Sequence, residues 1–145
     1  MAQDFFLTDR VYFSFLPINQ IKTMRKEMEI RLIDFSVLLY ELSKNFGDTF
    51  IANHLANQIL RSSTGAALNF AEAQAAESRK DFIHKTSIVL KELRETHVNL
   101  QIIQRINICM DNDKVGLALD ESDQLVSIFY KTVETAKRNN IGLKT

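Results

Sequence analysis

The chain is poor in the residues that break helices or cross-link loops. Its 145 residues include one proline, four glycines and one cysteine. Because Cys109 has no partner, an intrachain disulfide is excluded, and a lone cysteine is typical of the reducing cytoplasm. Basic and acidic residues number 18 each, so no excess charge points to nucleic acid or to a basic partner. The composition is that of one cytoplasmic globular domain rich in helix, and it identifies no activity.

Residues 1–23 are predicted to form a non-helical extension. Most side chains over 5–16 are aromatic or aliphatic, but Asp4 precedes this stretch and Asp9 interrupts it. A secretory signal is therefore not expected, and no run approaches the ~20 apolar residues that cross a bilayer. We expect the extension to pack against the body of the protein or against a neighbouring subunit. The alternative is that the natural start is Met24 and the extension is peripheral.

From Met24 onward, apolar residues recur every three or four positions, which is the period of an amphipathic helix. Four helices are predicted, over about 24–46, 49–76, 78–108 and 121–140, with the main loop at 109–123 and a tail at 141–145. Short connections between amphipathic helices favour an all-α, antiparallel up-and-down four-helix bundle over residues 24–140.

Two helices carry unusual patterns. In the first, a second set of apolar residues broadens the core stripe, as expected of a helix buried on more than one side. This set is Ile30, Ile33, Val37 and Tyr40. The second helix is rich in Ala and Ser, which predicts a central place in the bundle. Gly65 in its interior costs up to ~1 kcal/mol, for which close packing is the expected compensation.

No pattern of catalytic or metal-ligating residues emerges. A di-iron bundle needs two Glu-x-x-His pairs facing inward, and the nearest match is the single Asp81-x-x-His84. Cys109 closes an apolar run, so burial is its expected role. The stretch 62–65 lacks the strand-turn-helix context of a nucleophile elbow. We therefore predict no enzyme activity, no metal and no cofactor.

Charge is distributed unevenly along the chain. Residues 78–108 hold six basic and three acidic residues, and residues 124–145 hold four basic and one acidic. One interpretation is an ordinary solvated helix surface with i,i+4 ion pairs. The other is a basic face that binds RNA or DNA. Its candidate contacts are Arg79, Lys80, Lys85, Lys91 and Arg94.

Residues of the second and third helices carry a family resemblance. Arg61 stands before a stretch of small residues, Asn69-Phe70-Ala71-Glu72 follows, and Ser78 precedes Phe82 by four positions. This pattern resembles the four-helix bundle family of 23S ribosomal-RNA intervening-sequence proteins over about 24–140, most specifically over 60–96. The sequence departs from the family pattern at three places, namely Ala67, Ala73 and Ala76-Glu77, where the family has Pro, Gly and an Arg pair.

The resemblance implies an up-and-down bundle that assembles with itself into a homopentamer and has no established enzyme activity. A similar pentameric bundle is an accessory protein of diversity-generating retroelements. We take the signature as structural or interfacial; it consists of Arg61, Asn69, Glu72, Ser78 and Phe82. Within it, Ser78 is expected to cap the third helix, with Asp81 three residues later as in a capping box, and Phe82 to anchor the first core layer of that helix. In the alternative, Asn69 and Glu72 belong to a ligand or RNA pocket. The leading hypothesis is a non-enzymatic, homo-oligomeric scaffold, and the second is an RNA- or DNA-binding accessory protein. The partner is expected to be the chain itself, RNA or another protein, and not a membrane.

Overall fold

A computed structural model describes residues 17–141, with side chains to residue 139. The four helices are α1 (Ile18–Ser43), α2 (Phe50–Gln74), α3 (Arg79–Ile106) and α4 (Asn112–Ile141). Consecutive helices pack on one another, and a small contact between α1 and α4 closes the bundle. The predicted all-α, up-and-down four-helix bundle is confirmed. Residues 1–16 of the predicted extension and the tail from residue 142 lie outside the described residues.

The order of packing fixes the geometry used below. Since α1 and α3 both neighbour α2 and α4, they occupy diagonal corners of the bundle and run in the same direction. We call the end where α1 and α3 begin the first end and the end where they finish the second end. Within residues 17–141, no helix combines the length and apolar content needed to cross a membrane.

The buried core follows the helical periodicity of the sequence. The predicted core stripe of α1 is buried from Met28 to Leu42. On α2, small residues such as Ser62 and Ala66 are buried where the helix meets its neighbours. Between α2 and α4, the fully buried rings of Phe70 and Phe129 meet edge to face, with centroids 5.7 Å apart. Small side chains on α2 let the neighbouring helices approach it closely, as dense packing of a protein interior requires.

Two predicted boundaries are wrong. Helix α1 begins at Ile18, directly after Pro17, and not at Met24. Residues 18–23 are mostly exposed and lie before the first buried residue, Met28, so they add nothing to the core stripe from which the helix was predicted. Helix α4 begins at Asn112, within the predicted loop over 109–123. Asp111 precedes this helix and caps it, since its carboxylate accepts a hydrogen bond from the Lys114 backbone N–H at 3.0 Å.

The two connections at the second end pair with each other. The backbone N–H of Met110 donates to the carbonyl of Asn45 at 3.0 Å, and Phe46 and Cys109 form an isolated antiparallel bridge. Helix α3 ends at Ile106, and the residue that follows it, Asn107, has the left-handed conformation with φ of 53°. Asn tolerates this conformation better than most residues. Burial raises the pKa of the Cys109 thiol, in keeping with a packing role.

Ser78 caps α3 as the sequence predicts, since its hydroxyl oxygen accepts a hydrogen bond from the Asp81 backbone N–H at 3.1 Å. Ser78→Ala leaves that N–H without its acceptor, and we expect the free energy of unfolding to fall by about 0.5–2 kcal/mol in urea titrations. The matched control is Ser87→Ala. Ser87 lies inside the same helix, where its hydroxyl donates to the Ile83 carbonyl, and alanine is the better helix former there. Equal losses in the two variants would contradict the capping role.

Candidate functional site

Two of the predicted signature residues, Arg61 and Glu72, form ion pairs between α2 and α3. From α2, the guanidinium of Arg61 reaches two carboxylates of α3, Glu95 at 2.5 Å and Glu92 at 3.5 Å. The hydrogen bond from Arg61 to Glu95 raises the pKa of the guanidinium. About three turns nearer the first end, Glu72 of α2 pairs with Lys85 of α3 and raises the pKa of that lysine. Arg61 and Glu72 therefore join two helices of the same chain.

Gly65 is explained by this contact. A Cβ atom at Gly65 would lie 3.4 Å from Cδ of Glu92, whose side chain is largely buried against α2. The absence of a side chain at Gly65 lets the stem of Glu92 pass close to the α2 backbone and reach Arg61. The predicted close packing at Gly65 is confirmed. Glu92 itself was missed in the sequence analysis, because a glutamate among charged neighbours on a long helix carries no sign of burial.

Asn69 and Phe82 have local roles. The amide of Asn69 donates to the Gly65 carbonyl at 2.9 Å within α2, and so contributes one bond inside its own helix. Phe82 is half-buried, so the expectation that it anchors the first core layer of α3 is wrong. Thr86 is the first fully buried residue of that helix, and its hydroxyl donates to the Phe82 carbonyl at 2.7 Å. Phe82 lies near the start of α3, where fewer neighbours cover it.

The five predicted nucleic-acid contacts do not share one surface. Arg79 donates to the Ala136 carbonyl near the end of α4, and Lys85 pairs with Glu72 on the opposite flank of α3. Lys80, Lys91 and Arg94 are exposed on the outer face of α3. The Arg94 guanidinium also lies over the Tyr130 ring, 5.8 Å from its centroid, a distance that suits a cation–π contact.

Lys91 and Arg94 line an open groove on the outer face of α3, flanked by α2 and α4. The groove is shallow and open to solvent, with a volume of about 710 Å³. Lys137 from α4 adds a third cation, and Glu95 is the one acidic side chain of the lining. Its apolar part comes from Leu90, Val98 and Val133. The groove therefore combines positive charge with an apolar floor.

The second apolar set of α1 points away from the bundle. At about 100° per residue, Ile30, Ile33, Val37 and Tyr40 lie roughly opposite the core stripe of the same helix. Each is between 46% and 52% exposed in the single chain. The expectation that these residues are buried on a second side is thus not met within one chain. We call this set the α1 outer stripe.

A second exposed apolar set lies on the diagonal helix. Val98, Ile102 and Ile106 recur every four residues on α3 and are 39–52% exposed. We call them the α3 outer stripe. Both stripes lie in the half of their helix nearer the second end, at opposite corners of the bundle.

The polar cluster between α3 and α4 does not form a nucleophile. The Ser122 hydroxyl donates to the Leu119 carbonyl at 2.9 Å and therefore accepts from Nδ1 of His97 at 2.7 Å. Nε2 of His97 is 3.2 Å from the Gln101 amide. In the tautomer that satisfies both neighbours, His97 donates to Ser122 through Nδ1 and accepts from the Gln101 amide through Nε2. Across the described residues, no three His, Cys, Asp or Glu side chains are arranged to hold a metal ion.

The sequence and the fold are similar to known proteins. A family model described as 23S rRNA-intervening sequence protein matches residues 27–131, well over half of the chain. A crystal structure of a protein of unknown function from the S23 ribosomal protein family of Bacteroides thetaiotaomicron VPI-5482 is 28% identical, with a TM-score of 0.64. That match covers 77% of this chain and 98% of the other. No curated protein matches.

Proposed function

This chain belongs to the 23S rRNA-intervening sequence protein family, and we propose that it is a non-enzymatic, homo-oligomeric helical bundle that acts as an interaction scaffold. The α1 outer stripe is the observation that carries this proposal. These four large apolar side chains are half-exposed on one helix face. A partner that covered them would stabilise the complex by about 25 cal/mol for every Å² of apolar surface buried. A second copy of the chain supplies such a partner.

The positions of the two outer stripes support a head-to-tail ring. A contact between two different patches repeats from copy to copy and produces either a closed ring or an open filament. Because both stripes lie toward the second end, the α1 outer stripe of one copy meets the α3 outer stripe of the next at a similar level along the bundle axis. A rotation about an axis parallel to the bundle then relates neighbours, which favours closure. The family resemblance sets the expected number of copies at five.

The nucleic-acid hypothesis has less support. It requires several cations on one surface to neutralise successive phosphates, whereas Arg79 and Lys85 are engaged with other helices of the bundle. The grouping of Lys91, Arg94 and Lys137 in the groove is the observation in its favour. We therefore keep RNA or DNA binding as the second candidate.

Light scattering of the full chain tests the scaffold proposal directly. We expect a mass about five times the 16.7 kDa of one chain. A different multiple would support self-assembly but contradict the pentamer. The mass of a single chain would contradict both. The same sample titrated with structured RNA at low salt is expected to show no binding. Micromolar binding that weakens steeply with salt would favour the second candidate.

A further inference from the structure

One flank of the α1 outer stripe carries a row of acidic residues. Glu27, Asp34 and Glu41 follow one another at intervals of seven residues, which is close to two helical turns, so they lie along one side of α1. This side is the one nearer α4, since Arg31, one turn after Glu27, reaches Glu121 of α4 at 2.7 Å. Glu27 and Asp34 are exposed and make no ion pair within the part of the chain that the structure describes. We call these three residues the α1 acidic row.

Basic residues lie along the corresponding flank of the α3 outer stripe. Arg94 and Arg105 are exposed and eleven residues apart, which is close to three helical turns, so they share one side of α3. This side is again the one nearer α4, because the Arg94 guanidinium lies over the Tyr130 ring of that helix. Lys91 is exposed almost in line with Val98 of the stripe, seven residues later. We call Lys91, Arg94 and Arg105 the α3 basic row.

The two rows match in level when α1 of one copy faces α3 of the next. Since both helices run in the same direction, each level is counted back from the second end at 1.5 Å per residue. Glu27 and Lys91 both lie about 23 Å from that end. Glu41 and Arg105 both lie in the last turn before it, and Arg94 falls between the levels of the first two acidic residues. Because each row flanks its stripe on the side of α4, the rows also meet on the same side of the contact.

From this match we infer that the α1 acidic row of each copy forms ion pairs with the α3 basic row of the adjacent copy. This inference rests on the proposed ring. Charged residues that flank an apolar seam between parallel helices set partner choice and orientation in coiled coils. In the ring, the rows fix the direction and the level at which two copies meet. They also give Lys91 and Arg94 of the α3 groove a partner inside the assembly.

Two ion pairs within α1 are compatible with this contact. Glu41 bonds Lys44 through Oε1 at 2.8 Å, which leaves its other carboxylate oxygen for Arg105 of the adjacent copy. Lys26 lies in line with the α1 outer stripe and would face the basic row. Its pair with Glu29 at 3.3 Å balances its charge within its own helix and so reduces that repulsion.

Charge reversal of each row, and then of both rows together, tests the pairing. Glu27→Lys with Asp34→Lys places two cations opposite the basic row, and Lys91→Glu with Arg94→Glu places two carboxylates opposite the acidic row. Because like charges across an interface repel, we expect either pair of substitutions to raise the concentration of half-assembly about tenfold or more. The chain with all four substitutions has its charges exchanged and should regain the wild-type value. Light scattering of the full chain over a dilution series measures each concentration.

A control variant and a mixing experiment make the test specific. Asp120→Lys with Asp123→Lys makes the same change in net charge as the acidic-row variant, on exposed residues of α4 outside both rows. Its half-assembly concentration should stay that of the wild type. When the exchanged chain is mixed with wild-type chain, like charges meet at every mixed contact. Native mass spectrometry should therefore find each kind of chain assembled with its own kind.

The outcomes separate the ion pairing from the ring on which it depends. An oligomeric wild type whose row variants assemble as well as the control would overturn the pairing and leave the ring standing. Row variants that dissociate without recovery in the exchanged chain would show that the rows do not face each other. Free mixing of exchanged and wild-type chains would overturn the pairing as well, whereas a single-chain mass of the wild type would contradict the ring itself.

Discussion

Ile33→Asp is expected to reduce the light-scattering mass of the protein to that of a single chain. Ile33 lies in the middle of the α1 outer stripe and is 46% exposed when the chain is alone. In the proposed ring this site is covered by the next copy, so a carboxylate there would lose its hydration without gaining a partner, at a cost of several kcal/mol per interface. The side chain points away from the bundle core. The helical content measured by circular dichroism should therefore not change.

A matched control and a mixing experiment make this prediction specific. Leu68→Asp alters an apolar residue of α2 that is 66% exposed but lies outside both stripes, so the mass should stay that of the oligomer. Ile102→Asp in the α3 outer stripe should dissociate the ring as Ile33→Asp does. In a mixture of the two interface variants, one intact stripe remains on each chain. Such a mixture should form a dimer with one chain of each kind and nothing larger.

Other assemblies predict different results in this mixing experiment. If α1 outer stripes paired with each other across a two-fold axis, Ile102→Asp would remain fully associated and the mixture would gain nothing. If Ile33→Asp kept the oligomeric mass, the α1 outer stripe would not be an interface. In that case, the main support for the scaffold proposal would be lost.

The α1 outer stripe also marks how far the sequence can be interpreted. The positions of Ile30, Ile33, Val37 and Tyr40 indicate that α1 carries apolar residues beyond its core stripe, since periodicity depends only on spacing, but the burial expected for them is not met in the single chain. Whether the second face is covered by the same chain depends on where the other helices lie, and this is a property of the packed bundle. The sequence therefore predicts that the face exists and cannot say what covers it.

The errors at helix α4 and at Phe82 have a related origin. Asp111, Asn112 and Asp113 favour turns and helix N-termini alike, and only the burial of Val115 and Ala118 shows that the chain has already entered the helix. Phe82 has the size and spacing of a core residue but lies in the first turn of α3, where fewer neighbours cover it. Helix identity follows from local pattern, whereas boundaries and the depth of each residue depend on contacts between helices.

The same reasoning explains which part of the candidate site was predictable. Arg61 and Glu72 were identified through the family pattern, and their structural interpretation is supported by the ion pairs to α3. Their partners Glu92 and Lys85 lie more than ten residues away in sequence, so no local spacing rule links them. The groove combines residues from three helices, and only the fold brings those residues together.

Phe70→Ala is expected to cause the largest loss of stability among single substitutions on α2. Phe70 and Phe129 are fully buried and their rings meet edge to face at an interplanar angle of 88°. Truncating a buried phenylalanine to alanine typically costs about 3–5 kcal/mol, because contacts are lost and a cavity remains. That is a large part of the roughly 5–15 kcal/mol that stabilises a domain. Urea titrations at one fixed protein concentration measure the loss, since self-association also contributes to stability.

The control lies on the same helix, and the pair itself can be isolated by a double-mutant cycle. Phe50→Ala removes a ring that is 87% exposed at the start of α2, and its effect should stay within about 0.5 kcal/mol. The milder substitutions Phe70→Leu and Phe129→Leu keep the chain folded if the alanine variants do not fold. The double variant Phe70→Leu/Phe129→Leu should lose less free energy of unfolding than the two single variants lose in sum. The expected difference is about 0.5–1.5 kcal/mol, which is the free energy of an edge-to-face aromatic pair. Strict additivity of the two leucine substitutions would mean that the rings contribute only by filling volume. If Phe70→Ala lost no more stability than Phe50→Ala, Phe70 would lie outside the core.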